Sequence, residues 1–261
     1  MKIARFSHAG SIAFGILDDD GEVVVLTGDP MFAGYNPTGQ RIPLVDVALL
    51  APVIPRSKVV GLAGDFYPDA AEQAAATGER SEPKLFLKPN TTVVGPNDAI
   101  VLPALSEDVR VEGELAIVIG RIAKNLSEAD AAGAIFGYTI ANDVTAVDVQ
   151  ELDGRSTRAK SFDSFCPLGP IIDTEFDPTM ARITAKVNDD EFENGELSLL
   201  SFSMARIVSY VSHAFTLLPG DVILTGSPSP AQEVTAGDTV SIEIPGLGVL
   251  SNPVRRAPTA D

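Results

Sequence analysis

The chain has 261 residues, 45% of them hydrophobic, which is enough to bury the core of one large domain, or of one domain with an appendage. It carries 36 Asp and Glu residues against 19 Lys and Arg residues, and the net charge of −17 disfavours nucleic acids and anionic membranes as partners. An anionic substrate would need a metal ion or local cations to attract it.

The location predicted from the sequence is the cytoplasm. The single cysteine, Cys166, cannot form a disulfide within the chain. The first ten residues lack the continuous apolar stretch of a signal peptide. The longest apolar runs, such as Leu115–Ile119, are far shorter than a membrane-spanning helix.

The N-terminal segment is predicted to form a small β meander. Its three strand patterns, separated by turn-forming residues, cover Lys2–Phe6, Ile12–Leu17 and Val23–Leu26. A stretch rich in Gly and Pro follows, and a boundary is expected near Pro55. We therefore predict two domains, a small N-terminal β domain at residues 1–55 and a main domain at residues 56–261.

The main domain is predicted to be a mixed, β-rich α/β fold. Its strand patterns, many of them rich in Val and Ile, lie at Lys58–Leu62, Lys84–Leu87, Val109–Ile119, Ile135–Ala141, Leu168–Ile172, Ile183–Val187, Asp221–Thr225 and Thr239–Ile244. Helical patterns are few: one runs from Pro68 to about Thr77, and another begins at Ser203, a suitable N-cap, and stops before Pro219. Because strands outnumber helices and the two do not alternate regularly along the chain, a Rossmann sheet is not expected.

The segment VRVEGELAIVIGR carries two carboxylates that are predicted to share one face of a strand. With a period of two, Glu112 and Glu114 point to the same side as Ala116 and Val118. The apolar character of that side places both glutamates at the edge of a buried surface, where a cation or a shared proton must offset their repulsion. The alternative is an exposed strand end whose glutamates meet water.

A third carboxylate, Asp143, follows the predicted strand IFGYTIAN, where TAVDVQEL is predicted to begin a helix. It could cap that helix instead. Together with Glu112 and Glu114 it would form an all-oxygen ligand set without nearby His or Cys. Such a set suits Mg²⁺, Mn²⁺ or Ca²⁺ and disfavours Zn²⁺.

Four motifs in order give the sequence a family resemblance. EGELAIVIG, GYTIANDVTAVDVQ, RAKSFDSFCPLGP and LLPGDVILTGSP together resemble the fumarylacetoacetate hydrolase family, in particular its bacterial members with a short N-terminal β domain. The resemblance extends from Lys58 to Val254. It implies a β-sandwich roll with few helices, usually a homodimer, and places the chain near the family's 2-hydroxyhepta-2,4-diene-1,7-dioate isomerases, oxaloacetate decarboxylases and acylpyruvases.

The resemblance also implies roles for individual residues. The metal ligands, for Mg²⁺ or Mn²⁺, would be Glu112, Glu114 and Asp143. The active-site lysine would be Lys160. Substrate contacts are implied for Thr225, Gly226 and Gln150. The implied substrate is a small anionic 2-oxo or enol acid, which would pass through a metal-bound enolate during C–C hydrolysis, decarboxylation or isomerisation.

One departure from the family lies in its lid helix, where a His and a Glu typically form a proton-transferring pair. This chain reads DFYPDAAEQ, so the pair becomes two acids, Asp69 and Glu72, on one helical face. One of these acids could have a raised pKa and act as the catalytic acid or base. The helix could equally be surface without a role.

A second departure lies before Asp148, where the family commonly has an arginine and this chain has Val147. The change removes a cation that often holds a substrate carboxylate. Arg110, Arg155 or Arg158 could compensate for it, although each is also compatible with an ordinary surface charge.

Two functions follow from these observations. The first is a divalent-metal-dependent enzyme, and the missing histidine favours isomerisation because it disfavours reactions that need activated water. The second is a family member that binds metal and metabolite without efficient turnover, as Asp69 and Val147 suggest. A purely structural β-rich domain would have no metal affinity at all.

Overall fold

The structure is a computed structural model that describes residues 1–64, 66–76 and 82–258. Within these ranges the chain forms twenty strands and six α-helices, which confirms the predicted mixed, β-rich α/β fold. The first ten strands are β1 (Lys2–His8), β2 (Ser11–Leu17), β3 (Glu22–Leu26), β4 (Pro37–Pro43), β5 (Ala48–Leu49), β6 (Val59–Ala63), β7 (Lys84–Lys88), β8 (Val93–Val94), β9 (Ile100–Leu102) and β10 (Val109–Val111). The others are β11 (Gly113–Ile119), β12 (Ile135–Asn142), β13 (Thr145–Ala146), β14 (Cys166–Asp173), β15 (Arg182–Val187), β16 (Asp190–Glu196), β17 (Val222–Leu224), β18 (Gln232–Glu233), β19 (Thr239–Ile244) and β20 (Gly248–Arg256). The helices are α1 (Pro30–Ala33), α2 (Ala70–Ala75), α3 (Glu128–Ala131), α4 (Val147–Asp153), α5 (Ser156–Ala159) and α6 (Met204–Ala214).

A large sheet forms the centre of the molecule, in the strand order β4-β3-β2-β1-β14-β12-β11-β17-β6-β7. The predicted meander is present as β1 to β3, and β1 pairs with β14 at Lys2–Asp173 and Ile3–Ile172. The N-terminal strands therefore extend the sheet of the main part of the chain. The division at residue 55 stays a prediction.

A second sheet, β16-β15-β19-β20-β9, packs against one face of the large sheet. Leu115 of β11 and Ile140 of β12 share a buried cluster with Ile183 of β15 and Ile242 of β19. Burying each such side chain contributes roughly 1.5–3 kcal/mol of transfer free energy. This sandwich fixes β11 and β12. Glu114 lies in β11, Glu112 directly precedes β11, and Asp143 directly follows β12.

The helix predicted to begin at Ser203 is present as α6, and the Ser203 side chain accepts a hydrogen bond from the backbone N–H of Arg206. Ile207, Val208 and Val211 pack against the large sheet, as the apolar periodicity predicted. With 11 residues, α6 is the longest helix in the described ranges, and none there has the length and apolar character needed to cross a membrane.

The strand predicted at Val109–Ile119 is interrupted at Glu112. β10 pairs with β13 and β18, whereas β11 pairs with β12 and β17 in the large sheet. The alternation predicted around Glu114 holds within β11, where Ala116 and Val118 belong to one buried cluster and Ile117 to another. Glu112 therefore lies at a junction between two sheets.

Candidate active site

Two neighbouring strands bring the three predicted metal ligands to one edge of the large sheet. β11 and β12 run antiparallel with Gly113 opposite Asn142, so the start of β11 adjoins the end of β12. Glu112 and Glu114 flank Gly113, and Asp143 follows Asn142 directly. The backbone N–H of Asp143 donates to the carbonyl of Glu112 over 2.9 Å. Acids from two separate sequence motifs therefore lie side by side.

The three acids differ in their surroundings. Glu114 and Asp143 each expose only 2% of their surface, whereas 27% of the Glu112 side chain is exposed. Glu114 accepts a 2.6 Å hydrogen bond from the backbone N–H of Gly226. The alternative of a solvated strand end is therefore wrong for Glu114. The alternative of a helix cap is wrong for Asp143, because Ala146 is the N-cap of α4.

Two lysine ammonium groups neutralise Asp143. Lys88, at the end of β7, and Lys160, directly after α5, donate hydrogen bonds to different oxygens of the Asp143 carboxylate. Lys88 also donates to the carbonyl of Val144 over 2.9 Å, and Lys160 to the hydroxyl of Thr145 over 2.7 Å. The predicted active-site lysine is thus bound to a predicted metal ligand, while Lys88 has no counterpart in the sequence analysis.

Burial and mutual repulsion set the charges of this cluster. Desolvation, and then repulsion from Asp143, raises the pKa of Glu112 to about 7 and the pKa of Glu114 well above its ordinary value. Desolvation also acts to raise the pKa of Asp143, but attraction to Lys160 and Lys88 outweighs it and lowers that pKa. A bound cation would relieve the repulsion that remains at the two glutamates.

The donor set fits a hard divalent cation in its chemistry. Carboxylate oxygens are the ligands that Mg²⁺ and Mn²⁺ prefer, and Glu112, Glu114 and Asp143 supply six of them. As they are placed, however, no three His, Cys, Asp or Glu side chains in the described part of the chain are spaced to share one ion. Each oxygen of Asp143 accepts a hydrogen bond from one lysine, Lys88 or Lys160, so Asp143 would offer a metal ion only the lone pairs that these two bonds leave free.

We expect the Lys88→Met variant to be destabilised by about 3 kcal/mol. Lys88 is completely buried, and its removal leaves a buried carboxylate with one fewer counter-charge. The free energy of unfolding, measured in urea, checks this. Lys84→Met is the matched control, because Lys84 is an exposed lysine on the same strand. Equal stability of the two variants would contradict the account of the buried pair.

A fourth acid, Glu193, lies next to the cluster and was missed in the sequence. It exposes only 1% of its surface. Its Oε2 accepts hydrogen bonds from the backbone N–H of Gly113 over 3.1 Å and from the hydroxyl of Ser227 over 3.0 Å. Its Oε1 has no hydrogen-bond partner among the described residues. Glu193 therefore joins the strand that carries the glutamates to the loop after β17.

Glu193 should make the stability of the protein depend on pH. Desolvation is the main cause that raises the pKa of Glu193 from an ordinary 4.5 to about 8. Between these values the folded state holds a proton that the unfolded state releases, so the contribution to stability is complete below pH 4.5 and is lost as pH rises towards 8. We expect Glu193→Gln to unfold at a higher temperature than the wild type at pH 8 and at a similar temperature at pH 5. The matched control is Glu191→Gln, at an exposed position of the same strand, which should leave the unfolding temperature unchanged at both pH values.

A pocket of about 680 Å³ opens beside the cluster. The lining residues are Ala63, Glu112, Thr145, Val147, Gln150, Glu151, Gly154, Arg155, Ser156, Lys160 and Ala231. The pocket thus combines a predicted metal ligand, the predicted lysine and the predicted substrate contact Gln150. Its volume is in the range typical of small-molecule sites.

The other two predicted substrate contacts lie deeper than the pocket wall. Thr225 is completely buried, and its hydroxyl donates to the carbonyl of Leu115 over 2.9 Å. Gly226 donates its backbone N–H to Glu114. In this arrangement both residues hold β11 and its glutamate in place, and neither belongs to the pocket lining.

The two acids predicted to replace the family's proton-transferring pair lie on the surface. Asp69 is the N-cap of α2, and its carboxylate accepts a 2.8 Å hydrogen bond from the backbone N–H of Glu72. Both side chains are exposed, and neither lines the pocket. The end of this predicted helix, at Thr77, lies outside the described residues. The structure thus gives Asp69 a local capping role and leaves the catalytic role of this pair a prediction.

Two protein-family models together match most of the chain. Residues 59–255 match the model described as fumarylacetoacetate (FAA) hydrolase C-terminal, and residues 1–52 match the model described as Rv2993c-like, N-terminal. Protein Rv2993c of Mycobacterium tuberculosis is 44% identical, over 98% of both chains. The human protein named oxaloacetate tautomerase FAHD2A, mitochondrial, is 37% identical, over 82% of this chain and 71% of its own length.

Solved structures show the same fold. A 2-hydroxyhepta-2,4-diene-1,7-dioate isomerase from Mycobacterium marinum is 43% identical with a TM-score of 0.89, over 99% of this chain and 100% of its own. A maleylpyruvate hydrolase from a Sphingobium species, solved with manganese(II) and pyruvate, is 26% identical with a TM-score of 0.79, over 99% of this chain and 100% of its own. The predicted sandwich architecture is therefore confirmed.

Proposed function

The chain belongs to the fumarylacetoacetate hydrolase family, whose matched members include isomerases, hydrolases and an oxaloacetate tautomerase, and we propose that it is a Mg²⁺- or Mn²⁺-dependent enzyme acting on a small 2-oxo or enol acid. In this proposal Glu112, Glu114 and Asp143 hold the ion, and the substrate lies in the adjacent pocket. The ion would supply Lewis-acid chemistry at the oxo oxygen of the acid.

One observation carries the proposal: three acids and Lys160 lie together in a strongly acidic protein, and two of these four residues, Glu112 and Lys160, line a pocket. Lys160 lines the pocket, binds Asp143 and lies 4.0 Å from Glu112. Clustering of buried carboxylates is unfavourable for folding unless a cation compensates, so the arrangement is better explained by a binding role than by stability. The same cation would attract the anionic substrate that the net charge of −17 repels.

Lys160 is assigned the role of a fixed positive charge. Desolvation acts to lower the pKa of Lys160, but attraction to Asp143 and Glu112 outweighs it and raises that pKa. Lys160 therefore stays protonated near neutral pH and is unsuited to accept a proton from the substrate. It can stabilise negative charge that develops on a substrate oxygen, and its bond to Thr145 keeps it oriented.

Isomerisation or tautomerisation is the reaction favoured among the candidates. Moving a double bond or a proton requires no activated water, and no histidine is among the described residues that line the pocket. His213 lies on α6, where its ring nitrogen Nδ1 is hydrogen-bonded to the carbonyl oxygen of Ser209. The names of the Mycobacterium marinum isomerase and the human oxaloacetate tautomerase support the same choice.

A substrate panel tests the proposal. The purified full chain is assayed with Mg²⁺ and with Mn²⁺ on oxaloacetate, an acylpyruvate and 2-hydroxyhepta-2,4-diene-1,7-dioate, and the products are identified. We expect metal-dependent turnover of at least one acid, with enol–keto conversion or isomerisation faster than C–C cleavage. Turnover of none of them with either metal would contradict the proposal.

The second candidate is a relative that binds metal and metabolite with little turnover. It is supported by Val147 in the pocket wall and by Asp69 at an exposed helix cap. The variant Asp69→His discriminates between the two candidates. Turnover that appears only in the variant favours the second candidate, whereas turnover by the wild type excludes it.

A further inference from the structure

The pocket contains a cation that the proposed metal chemistry does not use. Besides Lys160, the only basic residue among the described residues that line it is Arg155. The ammonium of Lys160 is already bound to Asp143 and Thr145. Arg155 is exposed, and within residues 1–64, 66–76 and 82–258 it forms no ion pair.

The other two arginines considered in the sequence analysis are already paired. Arg110 binds both oxygens of Asp108 at 2.8 and 2.9 Å. Arg158 binds both oxygens of Asp153, also through two nitrogens. Neither lines the pocket. Of the three arginines, only Arg155 has its planar pair of N–H donors available to a ligand in the pocket.

Arg155 and Lys160 lie at opposite ends of one short helix. Arg155 directly precedes α5 and Lys160 directly follows it. Both residues line the pocket, so its wall carries a basic residue at each end of α5.

Resting on the proposed function, we propose that Arg155 is a specificity-determining residue that binds the second carboxylate of a dicarboxylic oxo acid. The oxo end of the substrate lies by Lys160 and the acid cluster, and the distal carboxylate forms a two-point contact with the guanidinium. Glu151 also lines the pocket and opposes a second negative charge. Without Arg155 the pocket therefore prefers a monoacid.

Two probes of equal chain length, 2-oxoglutarate and 2-oxopentanoate, separate the contact from general binding. They differ only in the distal carboxylate. Their affinities are measured by calorimetry on the Mn²⁺-saturated full chain, for the wild type, Arg155→Gln and the matched control Arg158→Gln. We expect the wild type and the control to prefer the diacid, and Arg155→Gln to reduce that preference about 10- to 100-fold, with 2-oxopentanoate affinity changed less than about 2-fold.

A second variant moves the positive charge of the arginine to another position in the pocket wall. Val147 lines the same pocket, so Val147→Arg in the Arg155→Gln background should restore part of the diacid preference. An unchanged preference in Arg155→Gln, or equal binding of both probes by the wild type, overturns the role of Arg155 and leaves the proposed function intact. Failure of the wild type to bind either probe also overturns the role of Arg155, whereas the proposed function is contradicted only by a lack of turnover in the substrate panel.

Discussion

Glu114→Gln is expected to weaken Mn²⁺ binding and to lower turnover, each by at least about 100-fold. The substitution keeps the shape of the side chain, and the amide oxygen can still accept the hydrogen bond from Gly226. It removes one buried negative charge, which is the property that a divalent cation requires. Calorimetric titration of Mn²⁺ measures the first effect, and the substrate panel measures the second.

The metal-free Glu114→Gln variant should be at least as stable as the wild type, although it binds metal less tightly. Desolvation raises the pKa of Glu114 well above its ordinary value, so the charged form is unfavourable in the folded protein. A neutral side chain should therefore maintain or raise the melting temperature of the metal-free protein. The matched control is Glu243→Gln, on an exposed strand position of the second sheet, which should leave affinity and turnover unchanged. Normal Mn²⁺ affinity in Glu114→Gln would contradict the assignment of Glu114 as a ligand.

Lys160→Met is expected to lower kcat by about 100- to 1,000-fold, because it removes a fixed positive charge from the wall of the pocket. Methionine retains much of the apolar stem of the lysine but loses the ammonium group, which lies 4.4 Å from the centre of the Phe86 ring. The metal affinity should stay the same or rise, since one oxygen of Asp143 is released from an ammonium group.

This separation of effects distinguishes Lys160 from the ligands. Turnover and Mn²⁺ affinity are measured on the same preparation, with Lys186→Met as the control on an exposed position of β15. A parallel loss of metal affinity and turnover in Lys160→Met would show that Lys160 supports the metal site and not the reacting oxygen.

The acids of the site could be predicted from the sequence because local patterns contain the necessary information. Alternation along β11 predicts which side Glu114 faces, and the apolar strand before Asp143 predicts that this acid lies at a sheet edge. The family motifs add Lys160 and Gln150, which both line the pocket. The break at Glu112 could not be predicted, because the pattern of alternation continues through it while the pairing partners change.

Lys88 and Glu193 were missed because their burial depends on contacts distant in sequence. Lys88 is paired in the interior with Asp143, which is 55 residues away in the sequence. The strand KLFLK begins and ends with a lysine, and nothing within it indicates that Lys84 is exposed while Lys88 is buried. Glu193 belongs to an acidic segment that is typical of a solvated hairpin, and Gly113, 80 residues away, accounts for its buried hydrogen bond. Arg155 could be included among three candidate arginines, but choosing it required knowing that Asp108 and Asp153 bind the other two.

A crystal soaked with Mn²⁺ and oxalate, with diffraction recorded at the manganese absorption edge, tests the proposed metal site most directly. We expect a single strong anomalous peak within roughly 2.0–2.6 Å of carboxylate oxygens from Glu112, Glu114 and Asp143, with oxalate on the open side of the ion facing the pocket. An anomalous peak only elsewhere on the protein, or fully occupied oxalate with no manganese beside the three acids, would contradict it.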